Sequence, residues 1–175
     1  GAGGAARDPA VVEDARFQTL TNKLRELLIA AQDGTLEGKG LGTFKVRPLS
    51  AICWGAAHCG LTTSSGDPML SLVFKNVITH EEDSPPGQNV SNLLWAYASM
   101  HNSRETNKEL MKKLEYWCEC IMNDFAAQGV SNSLWAFATL GHTLRPEVVS
   151  LFSKAIKKNM KDFKSMEFSN VVWAI

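Results

Sequence analysis

The 175-residue sequence has no surplus of charge, because 18 Lys and Arg stand against 18 Asp and Glu. This balance excludes a polycation that holds nucleic acid by net charge alone and leaves open only a local basic face. Cysteine is sparse and scattered, with four in all. That excludes a disulfide-dense small scaffold and points to a reducing compartment. No apolar run approaches the roughly 20 residues that span a bilayer, so no membrane insertion is expected. Alternation with period two is missing over any stretch long enough to build a sheet. What is present is 45% apolar residues in a chain long enough to bury a real core.

The start, Gly1-Ala2-Gly3-Gly4-Ala5-Ala6, is too polar and Gly-rich for the apolar core of a signal peptide. It also lacks the Arg/Ser-rich amphipathic character of a transit peptide. Residues 1–8 are expected to form a flexible tail ahead of a helical array over 9–175. Trp173-Ala174-Ile175 continues a helical pattern to the last residue, so the sequence reads as a piece of a longer protein.

The array is visible as an internal repeat. Trp54, Trp95, Trp135 and Trp173 are spaced 41, 40 and 38 residues apart, in matching surroundings. Val90-Ser91-Asn92-Leu93-Leu94-Trp95-Ala96-Tyr97-Ala98 is echoed by Val130-Ser131-Asn132-Ser133-Leu134-Trp135-Ala136-Phe137-Ala138 and by Phe168-Ser169-Asn170-Val171-Val172-Trp173-Ala174-Ile175. A looser first copy surrounds Trp54. Ten residues before the Trp stand Phe44, Phe125 and Phe163, with Pro85 in the remaining copy. Seven before it stand Gln88 and Gln128, with Arg47 and Met166 in the outer copies. Such a period marks a stacked repeat architecture, in which one unit alone cannot bury its apolar face.

Between the Trp segments lie second helical stretches, expected at about 9–32, 67–79, 104–124 and 145–160. Leu110, Leu114, Trp117 and Ile121 recur at amphipathic spacing, as do Val148, Phe152 and Ala155. Pro68 and Pro146 suit the first turn of a helix, where a missing N–H costs nothing. Gly60 and Gly141, six residues after their Trp, suit a left-handed helix end. Each unit is therefore a helix pair, and the fold class is all-α: an αα-superhelix, or solenoid, of about four helix-pair repeats of 38–41 residues. On a helical wheel Val90, Leu94 and Tyr97 share one face, and Trp95 lies roughly opposite. Small residues, mostly Ala, flank the Trp side, and the Trp helix is expected to be buried on two sides.

The pattern Phe-x-x-Gln-x-Val-Ser-Asn-x-Leu-Trp-Ala-Phe-Ala-x-Leu-Gly over residues 125–141 resembles the octotricopeptide repeat, a family related in style to the helical repeats of FAST-kinase-like proteins that carry a RAP domain. The resemblance is good over 88–100, partial over 44–60 and truncated over 163–175. Gly87 and Ala127 stand where that family often has Pro. The resemblance implies a superhelix that binds organellar RNA and acts in the stability, processing or translation of mitochondrial or plastid transcripts. Some proteins of this kind instead serve as structural parts of organellar ribosomes.

Each conspicuous residue has a bland reading beside a functional one. Trp54, Trp95, Trp135 and Trp173 read first as the structural repeat core, one wedge per junction, and second as a stacking platform for bases. Asn92, Asn132 and Asn170 lie four residues after Gln88, Gln128 and Met166, so each pair shares a helix face. These amides could read base edges, but identity from unit to unit favours an Asn–Ser hydrogen-bond ladder between repeats. The variable position six before Trp (Asn89, Gly129, Glu167) is the better candidate for readout.

Charge is uneven, with 8 basic and 10 acidic residues in 1–87 and 10 and 8 in 88–175. Lys154, Lys157, Lys158 and Lys161 fall on one helix surface, and Lys108 and Lys112 repeat the theme one unit earlier. A lysine stripe of this kind is a candidate phosphate track; the alternative is a solvated helix face with cations near its C-terminus. Cys118-x-Cys120 and Cys53 near His58 and Cys59 lack the second pair that a zinc site needs, so they read as buried thiols. Gly38-Lys39-Gly40-Leu41-Gly42 reads as part of a connector and Glu81 to Gly87 as an exposed turn. No catalytic constellation, cofactor, metal or small-molecule substrate is implied. Single-stranded RNA is the expected partner, with protein partners in a larger assembly as the alternative.

Overall fold

The computed structural model describes residues 11, 13–35, 44–61, 68–81, 84–101 and 106–175. The 1–8 tail and the Gly38–Gly42 connector lie outside the described residues. Among the described residues every regular element is helical and there are no strands, so the chain is all-α. The helices are α1 (Ala15–Gln32), α2 (Val46–His58), α3 (Pro68–Ile78), α4 (Gly87–Met100), α5 (Lys108–Ile121), α6 (Ala127–Thr139), α7 (Pro146–Asn159) and α8 (Ser165–Ala174). Single 3-10 turns, Met122–Asp124 and Met160–Asp162, follow α5 and α7.

Local sequence sets several of these ends. Asn107 caps α5 by accepting the Leu110 N–H at 3.0 Å. Pro146 opens α7 at its first turn. Gly60 and Gly141 adopt φ of +73° and +64°, as their place after α2 and α6 predicts. In each case the residue after the glycine donates back into the helix, Leu61 N to the Ala56 carbonyl and His142 N to the Phe137 carbonyl. The α5 helix begins at Lys108, and its last expected turn, Met122–Asp124, tightens to 3-10 before Phe125 turns extended.

The helices stand in two layers. The Trp helices α2, α4, α6 and α8 pack on one another in sequence order, and these are the most extensive contacts in the molecule. The partner helices α1, α3, α5 and α7 pack in the same order, over fewer residues. Within a unit α2 packs on α3, α4 on α5 and α6 on α7. The core runs between the layers. Leu110, Leu114, Trp117 and Ile121 of α5 are buried there, as are Val148, Phe152 and Ala155 of α7. The Phe125 ring sits where α6 meets α4, so close that an added Cβ on Gly87 or Gly129 would stand 3.0 or 2.9 Å from it. Glycine at both points lets the backbones close over the ring.

Hydrogen bonds tie the helices together within and between units. Thr106 Oγ1 donates to the Leu140 carbonyl at the end of α6 at 3.0 Å. Lys158 Nζ donates to the Asn123 carbonyl at 2.9 Å, and Asn159 Nδ2 to the Phe125 carbonyl at 3.1 Å. Glu115 of α5, buried among these helices, accepts from His142 Nε2 at 2.8 Å, from the Arg145 N–H at 2.9 Å and from Arg145 Nε at 3.2 Å. Arg145 Nη2 reaches on to Glu119 at 2.6 Å. This cluster clamps the α6–α7 turn onto α5.

Candidate functional site

The Trp helices α4 and α6 are buried on three sides, one more than expected. Val90, Leu94 and Tyr97 of α4 face the partner layer. Ser91 and Ala98 are buried on one flank, and Leu93 and Ala96 on the other. The small residues at these flanks let successive Trp helices approach closely. The remaining arc, about 60° wide at 100° per residue, holds the positions seven and three before Trp, the Trp itself and the position four after it.

That arc is the free face of the Trp layer. It carries Gln88, Asn92, Trp95 and Ser99 on α4 and Gln128, Asn132, Trp135 and Thr139 on α6. The outer units contribute Arg47, Ala51, Trp54 and His58 on α2, and Met166, Asn170 and Trp173 on α8. Gln88 and Gln128 are exposed, while Asn92, Asn132 and Asn170 are half-buried.

The repeat tryptophans divide between the inner and the outer units. Trp95 and Trp135 are partly buried against the core, but Trp54 is 45% and Trp173 60% exposed. Serines and alanines occupy the contact between Trp helices, and the indoles lie along its outer rim. The fully buried tryptophan is Trp117 of α5, which lies outside the repeat motif. Along the rim the His58 ring lies 3.8 Å from Trp54 and 5.0 Å from Trp95, centroid to centroid, so aromatic contact runs from one unit to the next.

The expected Asn–Ser ladder is present at one junction, where Asn170 Nδ2 donates to Ser131 Oγ at 3.3 Å. The position six before Trp turns inward to structural work in two units. Gly129 is buried under the Phe125 ring, and Glu167 caps its own helix by accepting the Lys164 N–H at 2.8 Å. In the third unit Asn89 is half-buried, with its Nδ2 enclosed and without an acceptor among the described residues.

The lysines occupy the other layer. Lys154, Lys157 and Lys158 are exposed on α7, and Lys161 is exposed in the turn after it. Lys108 and Lys112 are exposed on α5. The structure therefore does not set them on the helices that carry the amides and tryptophans. Of the cysteines, Cys53 and Cys118 are buried, and burial pushes both thiols up. Cys59 is half-buried, and Cys120 is exposed rather than buried, because a two-residue step turns it to the opposite side of α5 from Cys118. Among the described residues no three His, Cys, Asp or Glu side chains gather to hold a metal ion, and no helix is long and apolar enough to cross a membrane.

No family model matches the chain, and no curated protein matches it.

Proposed function

We propose that the chain is a stretch of αα-superhelix of the octotricopeptide kind that binds single-stranded organellar RNA, without catalysis, along the free face of its Trp-helix layer. One observation carries this reading: an exposed Gln, a half-buried Asn and a half-buried indole recur on the same outward arc of α4 and α6, with the rings of α2 and α4 already in contact through His58. A row of aromatic edges at one-helix intervals suits splayed, unpaired bases, which stack on any π face, while neighbouring amides meet base edges. The closer packing of the Trp layer also supports the reading, since a two-layer stack curves towards its more tightly spaced layer. The Trp face is then the inner one. The exposed lysines of α7 and its following turn supply phosphate contacts from the flank. A mitochondrial or plastid location rests on the family resemblance.

The test is fluorescence anisotropy with a labelled single-stranded RNA of mixed sequence across a salt series. Trp54→Ala together with Trp95→Ala is expected to weaken binding by about 1–3 kcal/mol for each base unstacked. The triple change Lys154→Ala, Lys157→Ala, Lys158→Ala is expected to reduce the salt slope by about 2. Failure to bind RNA at low salt, or binding indifferent to both sets of changes, overturns the proposal.

A second reading, a scaffold within a larger protein assembly, is favoured by the absence of any charged residue in α4 and α6. Its signature is protein partners that co-purify after nuclease treatment and are lost with the same Trp changes.

A further inference from the structure

The repeat makes each position of a Trp helix equivalent to one on the next, so the interior junctions can be compared. Trp54, Trp95 and Trp135 are 41 and 40 residues apart, and His58, four after Trp54, therefore corresponds to Ser99 on α4. At the α2–α4 junction the His58 ring stands between two indoles, its centroid 3.8 Å from Trp54 and 5.0 Å from Trp95. Its plane is tilted from theirs by 34° and 39°. Its Nδ1–H donates to the Trp54 carbonyl at 2.9 Å, one turn back on the same helix, which holds the ring in place. Packed helices lie about 8–10 Å apart, and paired aromatic rings about 4.5–7 Å apart, so one flat ring bridges the tryptophans of neighbouring helices.

The α4–α6 junction has the two tryptophans and lacks the bridge. Trp95 and Trp135 are both half-buried, and the exposed Ser99 stands where α2 has the imidazole. Among the described residues no ring joins Trp95 to Trp135. An amide beside them is also left over. Across the next junction Asn170 donates to Ser131 at 3.3 Å. Its equivalent Asn132, half-buried one turn from Trp135, makes no such bond to Ser91, whose hydroxyl donates instead to the Gln88 carbonyl at 3.0 Å. A half-buried amide without a partner gains from any ligand that offers it a donor or an acceptor.

We propose that an unpaired RNA base enters the α4–α6 junction between Trp95 and Trp135, in the place that the His58 ring takes between Trp54 and Trp95, with the Asn132 amide meeting its edge. This site rests on the RNA-binding reading above. At the α2–α4 junction the chain's own imidazole already fills the corresponding place and keeps a base out.

The test is fluorescence anisotropy of a labelled single-stranded RNA of mixed sequence with the 175-residue chain. Ser99→His sets an imidazole in the α4–α6 junction and is expected to weaken binding about 5- to 150-fold, the contribution of one stacked base. His58→Ser opens the α2–α4 junction to a second base and is expected to tighten binding over the same range. Ser99→Ala leaves the space as it is and is expected to change affinity by less than about 2-fold. The signs are reversed if bases stack only on the outer edges of the rings, because an added imidazole then adds a platform and a removed one loses it. Far-UV circular dichroism checks that each variant keeps its helices, and the gain expected of His58→Ser is one that misfolding does not mimic. RNA binding that Ser99→His leaves unchanged or tightens, or that His58→Ser weakens, overturns this site alone. A wild-type chain that binds no RNA at low salt overturns the site together with the reading it rests on.

Discussion

Replacing Glu115 with Ala tests whether the α6–α7 turn is clamped by charge. The carboxylate is almost wholly buried and accepts three hydrogen bonds, at 2.8, 2.9 and 3.2 Å. Losing one partner of a buried ionic cluster costs about 3–5 kcal/mol when the other charge is left buried. Here the stranded charge is Arg145, whose side chain is about half exposed and keeps Glu119. The expected loss is therefore smaller, about 2–3 kcal/mol. In a chain of this size that lowers the melting temperature by about 4–12 °C. Thermal unfolding by circular dichroism, wild type against variant, reads the difference.

The clamp depends on pH with a definite sign. Burial alone raises the Glu115 pKa, but the Arg145 N–H, the His142 hydrogen bond and charge, and the Arg145 charge together hold it below the ordinary value of 4.5. A carboxylate held lower in the folded state than in the unfolded one contributes stability above the unfolded value and loses it as the pH falls through the folded one. The gap between wild type and variant is thus full at pH 7 and narrows as the pH falls below the ordinary carboxylate value and through the lower folded one. A gap under about 0.5 kcal/mol at pH 7, or one that widens as the pH falls below the ordinary carboxylate value, refutes the clamp.

Two further substitutions probe the packing. Trp117→Ala empties a fully buried site and is expected to cost about 3–5 kcal/mol in urea unfolding, whereas Trp54→Ala on the rim costs less than about 1.5. Equal costs would place both rings in the core. Gly129→Ala gains about 1 kcal/mol of helix propensity but drives a Cβ to 2.9 Å from the enclosed Phe125 ring. The net is expected to be a loss of about 1–3 kcal/mol by the same assay, and a neutral or stabilised variant would mean that the ring yields.

Much of the helix-pair order was legible because it is written in local signals. The Leu110–Leu114–Trp117–Ile121 spacing names the buried stripe of α5, and Gly60 and Gly141 name two helix ends. The burial of Val90, Leu94 and Tyr97 followed from the wheel. The exposure of Trp54 and Trp173 did not, although the wheel already set the repeat tryptophans opposite the core. Angles say which residues share a face, not how close a neighbouring helix comes, and the Ser and Ala flanks let it come close beside the indole rather than over it. The role of Gly129 stayed hidden for a related reason, since only the three-dimensional path of Phe125 brings the ring across it. The Glu115 clamp joins residues 27 and 30 positions apart with no period to betray them. Its one sequence signal is an acid on the same side of α5 as Met111, Cys118 and Met122.

The two-layer order has a mechanical meaning. Among the described residues every substantial helix contact joins elements within a unit or in adjacent units. Among these helices each junction is held by its own neighbours and not by a contact with a distant unit. The described junctions differ in what holds them: the Phe125 ring lies between α4 and α6, and the Glu115 clamp joins α5 to the turn before α7. A substitution at either one acts first on the packing of that junction, through contacts the other does not share.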